Sequence, residues 1–171
     1  MPIPTLLGIT AKTITTTRIT TRVLFSGFND GTPVLFLHGN LTSATCWEEV
    51  MLSLPEEYRA IAPDQRGYGD SDSKKKIEAK RGMADLADDA VALLNHLGID
   101  QAHIVGHSLG SSVLWQLLVD YPNRVLTATL ITPPPPYGFS GTKNLAGTPC
   151  YTRRTQVFGF SIADDLEIFG Q

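Results

Sequence analysis

The sequence is poor in cysteine. Its 171 residues hold only Cys46 and Cys150, isolated from each other and without metal-ligand spacing. That excludes a disulfide scaffold and a cysteine-based zinc site, and leaves two free thiols in a reducing, intracellular setting as the reading. A charge bias is lacking too: 14 Lys and Arg stand against 17 Asp and Glu. The one basic cluster, "KKKIEAKR" from Lys74 to Arg81, is flanked by aspartates and reads as a solvated loop, so no nucleic-acid partner is expected. Long hydrophobic runs are also missing. The opening "MPIPTLLGIT" has no basic leader, and its apolar stretch is too short to be a secretory core or to span a bilayer. The expectation is a cytoplasmic protein with no membrane partner, no metal and no cofactor.

What is present is the composition of a soluble globular protein, with 42% hydrophobic and 18% charged residues. The segment "KTITTTRITTRVLFSGFNDGTPVLFLHG" is rich in the β-branched and aromatic residues that suit a pleated surface. "NDG" predicts a turn, the stretch before it a pair of strands, and "PVLFLH" a short strand covered on both faces. The chain then alternates. "TSATCWEEVMLSL" has helical spacing, "YRAIAPD" reads as a strand ended by Pro63, and "GMADLADDAVALLNHLGI" as an amphipathic helix. In that helix Met83, Leu86, Ala87, Ala90, Val91, Leu94 and Leu97 form the apolar stripe, and Asp85, Asp88 and Asp89 are expected to face away. Then come the strand "AHIVG", the helix "SLGSSVLWQLLVDY" stopped by Pro122, and the strand "RVLTATLIT".

Such alternation predicts an α/β fold with a mostly parallel sheet and helices on both faces, whose ligands sit beyond the carboxyl ends of the strands. Three stretches fall there: "HGN", "PDQRGYGDSD" and "GHSLG". Within the second, Asp64 and Arg66 are expected to pair with each other, and Asp70 and Asp72 to be turn residues. Beyond Thr132, "PPPPYGFSGTKNLAGTPC" continues neither period and reads as a long loop or the start of a cap, and the final "YTRRTQVFGFSIADDLEIFGQ" offers no convincing strand and helix pair.

The stretch "VGHSLGSS" sets Ser108 between Gly106 and Gly110, after a strand and before a helix. A tight strand-to-helix corner lifts a serine hydroxyl clear of the sheet, and side chains two before and two after would collide, which is the steric reason for G-x-S-x-G. The following helix aims N–H groups and its positive end at the space above that hydroxyl. Leu109 N–H is one expected oxyanion donor and Asn40 N–H, in "HGN", the second, with Gly39 allowing close backbone approach. His38 is expected to organise this loop by hydrogen bonds, and His107 to be a buried structural neighbour of the corner. His96 and His103 read as structural or solvated, Trp115 as core, and Cys46 as no competitor to Ser108.

With "LFLHGN", "PDQRGYGDSD" and "VGHSLGSS" in this order and at this spacing, the chain resembles the α/β-hydrolase superfamily over about residues 20–132. The resemblance implies Ser108 as nucleophile, Asn40 and Leu109 as oxyanion donors, and Trp47 as a residue lining or supporting the pocket. It implies a small-molecule substrate with an ester, thioester, lactone, amide or activated carbon–carbon bond. Serine rather than aspartate at the corner looks unlike the epoxide hydrolase and haloalkane dehalogenase branches, although "HGN" followed by "TS" is similar to the latter.

In this family the chain order is serine, then acid, then histidine. Asp120, Asp164, Asp165 and Glu167 follow Ser108, but His38, His96, His103 and His107 all precede it. The resemblance also implies two further strands after a cap. The expectation is therefore residues 1–132 as the N-terminal portion of a hydrolase core and 133–171 as a loop or cap start, from a truncated or frame-shifted gene. The sheet would then end at "RVLTATLIT", an exposed edge through which copies could associate. The alternative is a natural short chain whose missing groups come from another chain, or a non-catalytic ligand-binding or interaction protein on the same scaffold.

Overall fold

The computed structural model describes residues 3–72, 74–78 and 80–133, and the backbone of 156–157 and 160–161. The unit Met1–Pro133 carries six strands: β1 Thr10–Thr15, β2 Thr20–Ser26, β3 Thr32–Leu37, β4 Tyr58–Pro63, β5 Ala102–His107 and β6 Val125–Ile131. Three α-helices lie between them, α1 Glu48–Leu52, α2 Met83–His96 and α3 Leu109–Asp120.

The sheet order is β1-β2-β4-β3-β5-β6. β1 and β2 form an antiparallel hairpin closed at Thr15 and Thr20, and β2 runs antiparallel to β4. From β4 through β3 and β5 to β6 every pairing is parallel. The unbroken apolar run of β3 follows from its central place, with Val34 to Leu37 all buried. Val34 and Phe36 face Trp47 and Met51, in a core cluster that also takes in Leu24, Ala60 and Ala62. The Trp47 and Phe36 ring centroids are 5.1 Å apart. On the other face α3 packs on β3, β5 and β6 and against α2. Helices therefore cover both faces, as the alternation predicts.

Two local readings change. "TSATCWEEVMLSL" divides into a 3-10 turn, Ala44–Trp47, and the short α1. In α2, Asp85 and Asp89 turn inward and are only 4% and 8% exposed. They stand one turn apart beside the apolar stripe, where two guanidinium groups meet them. Arg66 Nε and Nη2 donate to the two carboxylate oxygens of Asp89, each at 2.7 Å, and Arg66 Nη1 donates to Asp85 at 3.2 Å. Arg18, from the β1–β2 turn, donates to Asp85 at 2.6 Å and to Asp89 at 2.7 Å. Forked pairing of this kind replaces the lost hydration that would otherwise keep both carboxylates in solvent. Arg66 thus pairs with α2 and not with Asp64. The Asp64 carboxylate instead accepts the Ala44 and Asp70 N–H groups, both at 2.8 Å, with Arg22 Nη1 at 3.9 Å.

β6 stands at one edge of the sheet, with Leu126 to Thr129 exposed. In the unit Pro134–Gln171, Gln156–Val157 (β7) pairs antiparallel with Phe160–Ser161 (β8). Apart from that ladder, the reading of 133–171 as loop or cap lies outside the described residues. Among the described residues no helix is long and apolar enough to cross a membrane.

Candidate active site

The carboxyl ends of β3, β4 and β5 lie side by side in the parallel part of the sheet, so the three stretches singled out by sequence leave the same edge of it. β5 ends at His107 and α3 begins at Leu109. Ser108 turns the corner between them with φ +52° and ψ −110°, a conformation that glycine adopts readily and an L side chain does not. Its N–H bonds the Ile131 carbonyl at 3.0 Å, and its own carbonyl accepts Ser111 N–H at 3.0 Å and Ser112 N–H at 3.2 Å to start the helix.

The corner is held by close packing. A Cβ on Gly110 would lie 2.0 Å from the Leu37 carbonyl oxygen, and one on Gly106 would lie 2.5 Å from the Gly110 carbonyl oxygen. No side chain fits at either position, because the start of α3 is pressed onto the ends of β3 and β5. Ser111, fully buried, ties the same elements: its hydroxyl reaches the Gly106 carbonyl at 2.7 Å and the Ile131 carbonyl at 3.1 Å. Sequence reasoning missed this anchor, since a serine one turn into a helix carries no signal of its partners.

The loop after β3 folds over the corner. A Cβ on Gly39 would come within 2.7 Å of His107 Nδ1, so the backbone there is in near contact with the residue before Ser108. His38, fully buried, ties the loop by hydrogen bonds: its Nε2 accepts Gln65 N–H at 2.9 Å and its Nδ1 lies 2.8 Å from the Gly39 carbonyl. Since Nε2 accepts, Nδ1 carries the proton and donates, and the ring is neutral. Burial pushes its pKa below the ordinary histidine value, against the opposing pull of the Gly39 bond and of Asp64. Gln65 also donates its side-chain amide to the His38 carbonyl at 2.6 Å.

Asn40 is exposed, and its N–H has no hydrogen-bond partner among the described residues. As the first residue of α3, Leu109 has no helical carbonyl behind it to take its N–H. Neither N–H is taken up by a hydrogen-bond acceptor among the described residues. Trp47 is buried in the core cluster with Val34 and Phe36. His107 is half-buried, more open than expected.

Ser108 Oγ makes no hydrogen bond among the described residues, and none of the four histidines is bonded to it. His38 has both ring nitrogens engaged. His103 lies at the opposite end of β5, its Nδ1 2.7 Å from Thr127 Oγ1, and His96 is exposed at the end of α2.

A family model described as the alpha/beta hydrolase fold matches residues 32–154. Among curated proteins, the chain is 40% identical over 114 residues to epoxide hydrolase 2 of Siraitia grosvenorii, covering 66% of this chain and 35% of that protein. It is 32% identical over 131 residues to an AB hydrolase superfamily protein of Bacillus subtilis, covering 76% of this chain and 46% of that one. Among solved structures, an epoxide hydrolase from Vigna radiata superposes with a TM-score of 0.68 at 31% identity, over 77% of this chain and 40% of its own. The chain thus spans less than half the length of these relatives. The likeness runs to proteins named epoxide hydrolases even though serine stands at the corner. The fold, the three ordered loops and the match over residues 32–154 place this chain in the alpha/beta hydrolase family.

Proposed function

We propose that the chain carries the nucleophile and oxyanion half of a serine hydrolase acting on an ester or related acyl bond of a small molecule. The observation that carries this is Ser108 itself: a non-glycine residue held at φ +52° between two glycines that tolerate no side chain, with a helix N-terminus beside it. Strain of that kind persists only where the surroundings over-determine it, and it is a mark of functional positions. In the step this geometry supports, Ser108 Oγ adds to the acyl carbon and the carbonyl oxygen becomes an oxyanion facing Leu109 N–H and Asn40 N–H. The alcohol then leaves with the serine proton, and water hydrolyses the acyl-serine to acid and free serine.

The relatives named epoxide hydrolases raise the epoxide as a rival substrate. Serine argues against it. Attack of Oγ on an epoxide carbon forms an ether, which has no carbonyl for water to attack, whereas attack on an acyl group forms an ester that water can cleave.

A second reading is favoured by the histidines, none of which is bonded to Ser108: the scaffold binds an acyl ligand without turning it over. A serine with an oxyanion hole but no base retains about 10³- to 10⁴-fold catalysis over water in well-studied triads. Exposure of the full chain to a 4-nitrophenyl ester separates the two. The nucleophile reading expects release of nitrophenol with an acyl group retained on Ser108, lost in Ser108→Ala. Saturable binding with no acyl group gained supports the second.

A further inference from the structure

We infer that Tyr68 is a positioning residue for the Asn40 oxyanion donor. This rests on the reading of Ser108 as nucleophile. The Tyr68 hydroxyl donates to Asn40 Oδ1 at 2.5 Å, joining the loop after β4 to the loop that covers the corner. The same Oδ1 accepts Leu41 N–H at 3.1 Å. Both lone-pair directions of Oδ1 are thereby used, which ties the Asn40 side chain to its own turn and so fixes the backbone that carries the Asn40 N–H.

The turn needs such a tie. Leu41 has φ +59°, a left-handed conformation costly for a leucine, and it is 90% exposed, so packing does not hold it there. Asn40 is exposed as well. What the neighbouring loop offers is a rigid strut. Tyr68 N–H bonds the Gln65 carbonyl at 2.9 Å and faces Ser71 Oγ at 3.1 Å, while the Tyr68 carbonyl accepts Ser71 Oγ–H at 2.7 Å. Its ring meets His38 edge-on, with centroids 5.3 Å apart. Deeper in the same loop, Gln65 and Asp64 grip His38 and Ala44. The loop after β4 therefore clamps the loop after β3 at its base, and Tyr68 latches its exposed tip.

The test is Tyr68→Phe in the full chain, which removes the hydroxyl and keeps the ring. A fluorophosphonate probe reads the site: Ser108 Oγ displaces fluoride from phosphorus, and the serine proton departs with it as hydrogen fluoride. The second-order labelling rate should fall about 10- to 100-fold, the scale of a misplaced reacting group. Asn40→Ala, which keeps the backbone N–H and loses Oδ1, should show the same fall, and the double variant no further one. Amide hydrogen exchange at Leu41 should quicken in Tyr68→Phe with the thermal midpoint unchanged. Unchanged labelling and exchange in Tyr68→Phe, or additive losses in the double variant, would overturn the assignment. If the native chain does not label at all, the nucleophile reading fails by itself, and exchange at Leu41 still decides whether Tyr68 holds the turn.

Discussion

Gln65 donates its backbone N–H to His38 Nε2 at 2.9 Å, and this bond sets the protonation state of a histidine beneath the candidate oxyanion loop. A proton on Nε2 would set two donors face to face in a fully buried site. His38 should therefore stay neutral in the folded chain at pH values where it charges in the unfolded one. With its folded pKa lowered by burial, the unfolded state binds the extra proton, so this contribution to stability is complete above the ordinary value of 6.5 and is lost as pH falls below it. An NMR titration of the imidazole checks this. Titration below 6.5 is the expected outcome, and titration at or above that value contradicts it.

Ser108 should be a case of stability given up for position. Relief of its positive φ is worth about 2 kcal/mol, and the extra freedom of an unfolded glycine offsets about 1 kcal/mol of that. Ser108 Oγ holds no hydrogen bond among the described residues whose loss would oppose the gain. Ser108→Gly should thus be more stable than the native chain by about 1 kcal/mol in denaturant unfolding, while Ser108→Ala, still strained, should not be.

The charge cluster on α2 should behave as one unit. Arg66→Met leaves Asp85 and Asp89 buried with less of their neutralising charge, which should cost about 3 kcal/mol. The same change made in Asp89→Leu should cost much less, because the strongest partner of Arg66 is already gone. Burial tends to raise the Asp85 pKa, but the Glu78 N–H bond and the charges of Arg66 and Arg18 outweigh it and hold the carboxyl below 3.8. Its contribution is accordingly lost only as pH falls below that value, a window separate from that of His38.

These clusters also mark where the sequence could be read and where it could not. The strands from β2 to β6 and the corner at Ser108 were legible, because apolar runs and the glycine spacing reflect local steric requirements. The inward turn of Asp85 and Asp89 was not. Helical spacing places them beside the apolar stripe, but whether that flank meets water or arginine depends on Arg18, which lies 67 residues away from Asp85 in sequence, and on Arg66. Pairing Arg66 with Asp64 assumed that neighbours in sequence are neighbours in charge. In fact Asp64 turns to the backbone of Ala44 and Asp70. The Tyr68 bond to Asn40 was not legible either, because the two residues stand 28 apart in sequence on different loops.

The central claim is that Ser108 is presented as a nucleophile, and site-resolved mass spectrometry after treatment of the folded full chain with a fluorophosphonate tests it most directly. One adduct on the peptide containing Ser108, absent in Ser108→Ala and slowed in Tyr68→Phe, is the predicted result. A folded chain that stays unmodified at Ser108, or that takes the adduct equally well when Ser108 is alanine, would contradict the account.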